Sequence, residues 1–112
     1  KQLAVSWVMA LVPTGSTGTG PAVSLALADK INRTVVLITD GAPNCGVPAF
    51  SSFYTTGSYD PFVTAHQHRI MIQNQNTSHA RINVFGIAAS GIYRSFCQNV
   101  ASDSGGSYID VP

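Results

Sequence analysis

Residues 34–41 carry the sequence Thr-Val-Val-Leu-Ile-Thr-Asp-Gly, a β-branched and apolar run that ends in an aspartate and a glycine. The apolar residues do not alternate with polar ones, which is the pattern of a strand buried on both faces of a parallel sheet. Asp40-Gly41 is a turn signal that ends the strand. Residues 34–39 are therefore predicted to form a buried strand with a carboxylate at its carboxyl end.

Helical and extended patterns alternate on both sides of this strand. A glycine- and threonine-rich loop with prolines at both ends occupies residues 13–21. Strand, helix, strand, helix and strand in this order predict a parallel α/β sheet with right-handed crossovers. The predicted elements are helices at 2–11, 22–31, 61–76 and 92–101, and strands at 34–39, 81–88 and 105–111.

The segment from Ala42 to Asp60 is rich in glycine, proline, serine and aromatic residues and shows no clear period. Its composition predicts a long surface loop. Long loops beside the carboxyl end of a strand often carry function. A variable insertion that packs locally is the alternative.

The crossover helix at 61–76 shows helical spacing of its apolar residues, with Gln and Asn directed outward. His66 and His68 lie two positions apart, so they point to different sides of the helix and cannot chelate one ion as an i, i+4 pair could. Both are predicted to lie on the surface. The residues predicted to face inward are Phe62, Ala65, Ile70, Met71 and Ile72.

Composition indicates one folded domain, or part of one, across residues 1–112. Of these residues 45% are hydrophobic and 10% charged, and the net charge is +1. Such a balance favours a buried core and gives no sign of nucleic-acid or anionic-membrane binding. The longest apolar stretches, 3–12 and 35–38, are shorter than the roughly 20 residues that span a bilayer. The start at Lys1, without Met or a signal peptide, predicts a chain cut from something longer.

The two cysteines, Cys45 and Cys97, match neither a zinc-binding spacing nor a dense disulfide framework. They are predicted to be buried small hydrophobic residues or free thiols. A disulfide between them is the alternative, and it would fit a secreted protein.

Patterns typical of enzymes are weak in this sequence. Ser16, Ser90 and Ser104 lie near glycines, but none stands in the Gly-x-Ser-x-Gly elbow of a hydrolase. Residues 15–20 precede a helix as a phosphate-binding loop does, yet the Walker lysine is missing. Without a paired acid and base, we expect binding rather than catalysis.

Three motifs together resemble the von Willebrand factor type A (vWA) domain. Residues 13–20, Pro-Thr-Gly-Ser-Thr-Gly-Thr-Gly, are similar to the family's threonine-bearing loop ahead of a helix. Residues 36–41, Val-Leu-Ile-Thr-Asp-Gly, resemble its central strand with an aspartate at the top. Residues 82–87, Ile-Asn-Val-Phe-Gly-Ile, and 101–108, Ala-Ser-Asp-Ser-Gly-Gly-Ser-Tyr, resemble its last two strands. The order and rough spacing agree, over most of the chain.

One family signature is absent from these 112 residues. The first strand of a vWA domain ends in Asp-x-Ser-x-Ser, and no such segment occurs. The resemblance is therefore to the C-terminal portion of the domain. It implies a Rossmann-like, three-layer α/β/α fold with a mostly parallel sheet, of which this chain supplies about three strands.

The resemblance also implies part of a metal-ion-dependent adhesion site. Thr17 would supply a hydroxyl ligand and Asp40 a carboxylate, which suit Mg²⁺. Without the Asp-x-Ser-x-Ser loop these ligands are too few, so we expect weak Mg²⁺ binding or none. Alternatively, Asp40 caps a turn and Thr17 satisfies the backbone of its own loop. The ligand-binding loops implied beside them contain Gly15, Ser16, Thr19, Gly41 and Asn44.

Family resemblance implies a protein-binding or adhesion role, with a degenerate fragment that serves in structure or assembly as the alternative. The missing first strand would leave the strand from Val35 to Thr39 with a bare edge, which predicts homodimerisation through that edge. The helix at 2–11 could instead cover the edge or the exposed sheet face and keep the chain monomeric. By resemblance to bacterial members of the vWA family, a secreted or cell-envelope location is expected.

Overall fold

A computed structural model describes Ser6 and residues 17–44 and 61–112 of the chain. Several predicted features lie outside the described residues. They are the helix at 2–11 apart from Ser6, the loop residues Gly15 and Ser16, Cys45, and most of the aromatic loop. The elements are helices α1 (Thr19–Ala28), α2 (Pro61–Gln75) and α3 (Gly91–Asp103), and strands β1 (Thr34–Thr39), β2 (Arg81–Ile87) and β3 (Tyr108–Val111).

The strands form a parallel sheet in the order β1-β2-β3. In the register of β1 and β2, Thr34 pairs with Arg81 and Thr39 with Gly86. The pairing of β2 with β3 begins at Val84, which lies opposite Tyr108. Each parallel step passes through a helix, so the predicted mixed α/β fold of Rossmann-like character is confirmed.

All three helices contribute to one buried core on one face of this sheet, with α2 packed between α1 and α3. A single buried cluster joins Leu27 of α1, Ile72 of α2 and Val100 of α3 to the strand residues Ile82 and Val84. These five side chains are at most 3% exposed. The described residues therefore build two of the three predicted layers, a helix layer and the sheet.

The other face of the sheet, which carries Val36 and Ile38 of β1 and which we call the open face, is exposed, contrary to the prediction that β1 is buried on both faces. Val36 is 58% exposed and Ile38 67%, whereas Val35, which directly precedes Val36, is 9% exposed. Successive residues of a strand point to opposite faces. Val35 therefore faces the helices, whereas Val36 and Ile38 face away from them. Among the described residues, helices cover only one face of the sheet.

The buried residues of helix α2 differ from those predicted to face inward. Ala65 and Ile72 are buried as expected, but Phe62 is 67% exposed, and the prediction for it is wrong. Gln67 and His68 are buried at 3% and 0%. Because α2 lies between α1 and α3, it is enclosed along its sides as well as against the core, and polar residues enter that enclosure.

A tight connection links α3 to β3. Gly105 adopts a φ of +75°, which glycine accepts without strain, and Gly106 donates its N–H to the carbonyl of Ala101 at 2.8 Å. A Cβ on Gly106 would collide with the carbonyl oxygen of Ile82 in β2. The glycine pair therefore lets the chain leave the helix and enter the neighbouring strand directly.

Among the described residues, no helix is both long and apolar enough to cross a bilayer.

Candidate binding site at the carboxyl edge of the sheet

The loops that resemble vWA binding loops meet where the parallel strands end. Asp40 follows β1 directly, and α3 begins at Gly91 just after β2. Hydrogen bonds between Thr17 and Asn44 bring the amino end of α1, at Thr19, to the same edge. Ligands of open α/β sheets bind in this region, outside the carboxyl ends of the strands.

Two hydrogen bonds join the loop before α1 to the segment after β1. The Thr17 N–H donates to Asn44 Oδ1 at 2.6 Å, and the Asn44 N–H donates to the Thr17 carbonyl at 3.0 Å. Both residues are exposed. Thr17 and Asn44, which the sequence predicts to belong to one site, are thus brought together.

Asp40 and Gly41 form a turn stabilised by side chains of the strand end. The Gly41 N–H donates to Thr39 Oγ1 and the Ala42 N–H donates to Asp40 Oδ1, both at 3.0 Å. Asp40 is exposed and forms no ion pair with the described residues. One oxygen of its carboxylate is therefore engaged in the turn, as the capping alternative predicts.

Gly41 holds this turn against α3. Its φ is +85°, and a Cβ there would lie 2.6 Å from the Tyr93 carbonyl oxygen and 3.0 Å from Cys97 Sγ. Both the backbone conformation and the lack of space require glycine at this position. The close contact fixes the position of the turn, and so of Asp40, relative to α3.

Cys97 lies beneath the turn as a protonated, apolar group. It is a free cysteine with 0% exposure, which confirms the prediction of a buried small residue. Burial, with a smaller contribution from the negative charge of Asp40, raises the pKa of its thiol to about 11. A nucleophilic thiolate is thus disfavoured at neutral pH.

The start of α1 is held by a histidine that the sequence places on the surface. His68 is fully buried, and its Nδ1 accepts the N–H of Gly20 at 2.7 Å. His66 is exposed, as predicted, so the prediction is wrong for His68 alone. Thr19 is 4% exposed and lies below the surface that Thr17 presents.

A second set of charges lies at the end of β3. The Tyr108 hydroxyl donates to Asp110 Oδ1 at 2.6 Å, and Arg94 forms an ion pair with the same carboxylate. The hydrogen bond to Asp110 is the main cause that raises the pKa of Tyr108. Gly86 leaves room for the tyrosine hydroxyl, which a Cβ would contact. The Asp110 charge is neutralised locally, unlike that of Asp40.

The ligands that the described residues offer fit Mg²⁺ poorly. Asp40 supplies one carboxylate and Thr17 one hydroxyl, while Asn44 Oδ1 already accepts a hydrogen bond. No group of three or more His, Cys, Asp or Glu able to hold a metal occurs in residues 17–44 or 61–112. Mg²⁺ requires near-octahedral oxygen coordination and gives up water reluctantly, so two protein oxygens hold it weakly.

A groove between α2 and α3 is a feature that sequence reasoning missed. Its volume is about 450 Å³. Arg69 on its wall is held in place by Asp103, which accepts hydrogen bonds of 2.7 and 2.8 Å. The signal that could have indicated it is Phe62, the single aromatic residue Phe, Tyr or Trp in α2, in the first turn of the helix. The groove is lined by Phe62, Ala65, His66, Arg69, Ile92 and Phe96, among others.

Comparison with known proteins adds no relative: no family model, no curated protein and no solved structure matches this chain.

Proposed function

We propose that this chain is a protein-binding module of the vWA type whose contact surface is the carboxyl edge of its sheet. The observation that carries this proposal is the pair of hydrogen bonds between Thr17 and Asn44. They join the threonine-bearing loop to the segment after Asp40, so that the two motifs with family resemblance form one surface. Sites of ligand binding in open α/β sheets are found at this edge.

The chemistry of the edge supports recognition of a polar protein partner. Thr17, Asp40 and Asn44 are exposed and offer a hydroxyl, a carboxylate and an amide. Asp40 directly follows β1, Thr17 lies two residues before α1, and two hydrogen bonds join Asn44 to Thr17. Such support limits the entropy lost on binding. Asp40 adds a negative charge that a basic or amide-rich partner surface would complement.

In this proposal Mg²⁺ binds weakly to the isolated chain. Thr17 and Asp40 would hold the ion, with water filling most of its coordination shell. A carboxylate of the partner would add the missing negative ligand. The cation would then contribute to affinity only when chain and partner are both present.

The test is a titration of the chain with Mg²⁺ and Mn²⁺, followed by backbone NMR, with Asp40→Asn as the variant. Asp29→Asn is a matched control, because Asp29 is also exposed and its Oδ1 also accepts the N–H two residues ahead, at 3.0 Å. We expect Mn²⁺ to broaden the amide signals of Thr17, Gly41 and Asn44 at millimolar concentration. Asp40→Asn should abolish the broadening, and Asp29→Asn should leave it unchanged.

Equal loss in the two variants, or no broadening near Thr17 and Asn44, would contradict a metal-assisted edge. The proposed binding role would then depend on direct contacts of Thr17, Asp40 and Asn44 with the partner, without a metal ion. A partner isolated with the wild-type chain would test that directly, because Asp40→Asn should weaken its binding more than Asp29→Asn does.

An assembly role is the second candidate, and the free edge of β1 favours it. Strand β1 is the first in the order β1-β2-β3, so among the described strands it pairs on one side only. An apolar strand with an unpaired edge can pair with a second chain. Sedimentation velocity over a range of concentrations tests this role: a dimer supports it, and a monomer at every concentration contradicts it.

A further inference from the structure

The amino end of α1 is capped by a side chain from another helix. The first backbone N–H groups of an α-helix have no partner within the helix, and the side chain of the residue before it usually accepts one of them. In α1 that residue is Gly18, which makes no side-chain cap. The Gly20 N–H donates instead to Nδ1 of His68 at 2.7 Å. His68 of α2 therefore replaces the local cap of α1.

The contact between Gly20 and His68 is close and shielded from water. His68 is 0% exposed, and Gly20 is buried as well. A Cβ on Gly20 would lie 2.8 Å from Nδ1 of His68 and 3.3 Å from its Cα. A larger residue would therefore push the imidazole away, and glycine at this position allows it to reach the helix end.

We propose that protonation of His68 regulates the binding edge, which is assembled when the imidazole is neutral and releases the loop before α1 when it is charged. The inference rests on the proposed function only for what the edge binds. A ring nitrogen accepts a hydrogen bond only while it carries no proton, so the proton of neutral His68 lies on Nε2. Protonation of Nδ1 turns the acceptor into a donor that faces the Gly20 N–H.

The electrostatics of the helix end also oppose a charged imidazole at this position. Aligned peptide groups give the amino end of α1 a partial positive charge, which destabilises a neighbouring cation. Burial adds the cost of removing that cation from water. A protonated His68 and a capped α1 therefore exclude each other, and the cation is stabilised by leaving the helix end for solvent.

The helices that pack on α2 do not offset this cost. Helix α1 contains no titratable side chain, and the one carboxylate of the three helices is that of Asp103 in α3. Asp103 forms an ion pair with Arg69 at 2.7 Å. The other titratable side chains on α2 and α3 are His66, Tyr93, Arg94 and Cys97. None of these adds a negative charge at neutral pH, so α1, α2 and α3 supply no unpaired carboxylate to a charged His68.

The cap is three residues away from the exposed part of the edge. Thr17 is joined to Asn44 by two hydrogen bonds, and the Gly18 carbonyl accepts the Ala22 N–H at 3.0 Å to close the first turn of α1. Loss of the cap at Gly20 loosens this turn and with it the position of Thr17. The stabilisation is present above about pH 6.5, where an imidazole is ordinarily neutral, and is lost as the pH falls.

Backbone NMR from about pH 7.5 to about pH 5 tests the proposal, because this range brackets the titration of an imidazole. We expect the amide signals of Thr17, Gly20 and Asn44 to change together with one midpoint. His68→Asn should remove the transition, since its Oδ1 accepts the Gly20 N–H and does not titrate in this range. His66→Asn is the matched control, because His66 is exposed on the same helix, and it should leave the transition unchanged.

The wild-type imidazole provides a second measurement, which decides the case if His68→Asn fails to fold. Side-chain nitrogen shifts at neutral pH should show a proton on Nε2 of His68 and none on Nδ1. A proton on Nδ1 would overturn the proposal. So would a His68 that titrates while the Gly20 amide stays unchanged, amide signals that are constant over the whole pH range, or a transition that persists in folded His68→Asn.

Mn²⁺ broadening separates this proposal from the proposed function. Broadening at Thr17 and Asn44 should be lost at the acid end of the range in the wild type and in His66→Asn, and it should persist in His68→Asn. Broadening that is absent at every pH, with the amide transition intact, would contradict the metal-assisted edge and still support proton control of the loop. Broadening that persists at acid pH in the wild type would overturn control by His68.

Discussion

The two faces of the sheet differ in cover although the same strands build both. Ile82 and Val84 of β2 are fully buried under the helices, whereas Val36 and Ile38 of β1 are more than half exposed on the open face. Both faces are nevertheless aliphatic and β-branched. The difference shows that a parallel strand encodes burial on two sides, while the cover on each side depends on distant parts of the chain.

The largest difference between the faces should appear when isoleucines are truncated. Ile82→Ala is expected to lower the free energy of unfolding by about 2–5 kcal/mol, because it opens a cavity in the closed core. Ile31→Ala, on an exposed turn, should cost about 0.5 kcal/mol or less. Ile38→Ala should cost much less than Ile82→Ala, because Ile38 is 67% exposed. Urea denaturation measures all three, and a cost for Ile82→Ala as small as that for Ile31→Ala would contradict the closed core.

The rate of thiol modification tests whether Cys97 of α3 is buried in the closed core. Burial raises the pKa of Cys97 from 9.0 to about 11, with Asp40 contributing. At pH 8 such a shift lowers the thiolate fraction about 100-fold relative to an ordinary thiol. In a Cys45→Ser background, iodoacetamide should therefore modify Cys97 far more slowly than a cysteine placed in an unfolded control, and a similar rate would contradict its burial.

The same pKa shift predicts how stability changes at alkaline pH. The folded state binds the Cys97 proton more tightly than the unfolded state, so the unfolded chain loses it first. The stabilisation is complete below pH 9 and is lost as the pH rises toward 11, which are the two ends of the shift. Cys97→Ala should flatten the decline in unfolding free energy over that window, and an unchanged decline would exclude Cys97 as its cause.

A polar contact inside the helix layer should have an intermediate effect. His68→Leu removes the acceptor of the Gly20 N–H, and leaving a buried donor without a partner costs about 1–3 kcal/mol. His68→Asn should cost less, because its Oδ1 can take the place of Nδ1. Thermal unfolding of the two variants gives the comparison. If Leu were tolerated better than Asn, the hydrogen bond would not be what stabilises this contact.

The smallest effect is expected at the outer surface of the helix layer. Arg69 forms two hydrogen bonds with Asp103, and the two side chains are 33% and 16% exposed. Solvent screens such a pair, so Arg69→Lys should cost only about 0.5–1 kcal/mol through loss of the paired geometry. The loss should shrink in high salt. A larger or salt-independent loss would mean that Arg69 acts mainly by packing in the groove.

The order of elements and the position of β1 could be predicted from the sequence because buried parallel strands leave long apolar runs. Helix α1 begins at Thr19, three residues before its predicted start, because the missing N–H of Pro21 falls within the first turn. The inward face of α2 was harder to predict, since its enclosure by two other helices buries Gln67 and His68. The spacing of hydrophobic residues along the sequence does not indicate the burial of Gln67 and His68.

The candidate site was predictable in part. The order of the motifs placed Thr17 and Asn44 at one edge, and the structure brings them into contact. The acceptor role of His68 beneath this edge could not be foreseen, because it depends on the close approach of Gly20 to a helix that follows much later in the chain. The groove beside Phe62 likewise arises from tertiary packing.

Isoleucine methyl NMR with a soluble gadolinium chelate tests the two-face comparison most directly. Ile82 lies on the closed face, Ile31 is exposed on a turn, and Ile38 lies on the open face. Because Ile38 is 67% exposed, its methyl should relax nearly as fast as that of Ile31, in a monomer at low concentration. Relaxation of Ile38 as slow as that of Ile82 would contradict the exposure of the open face.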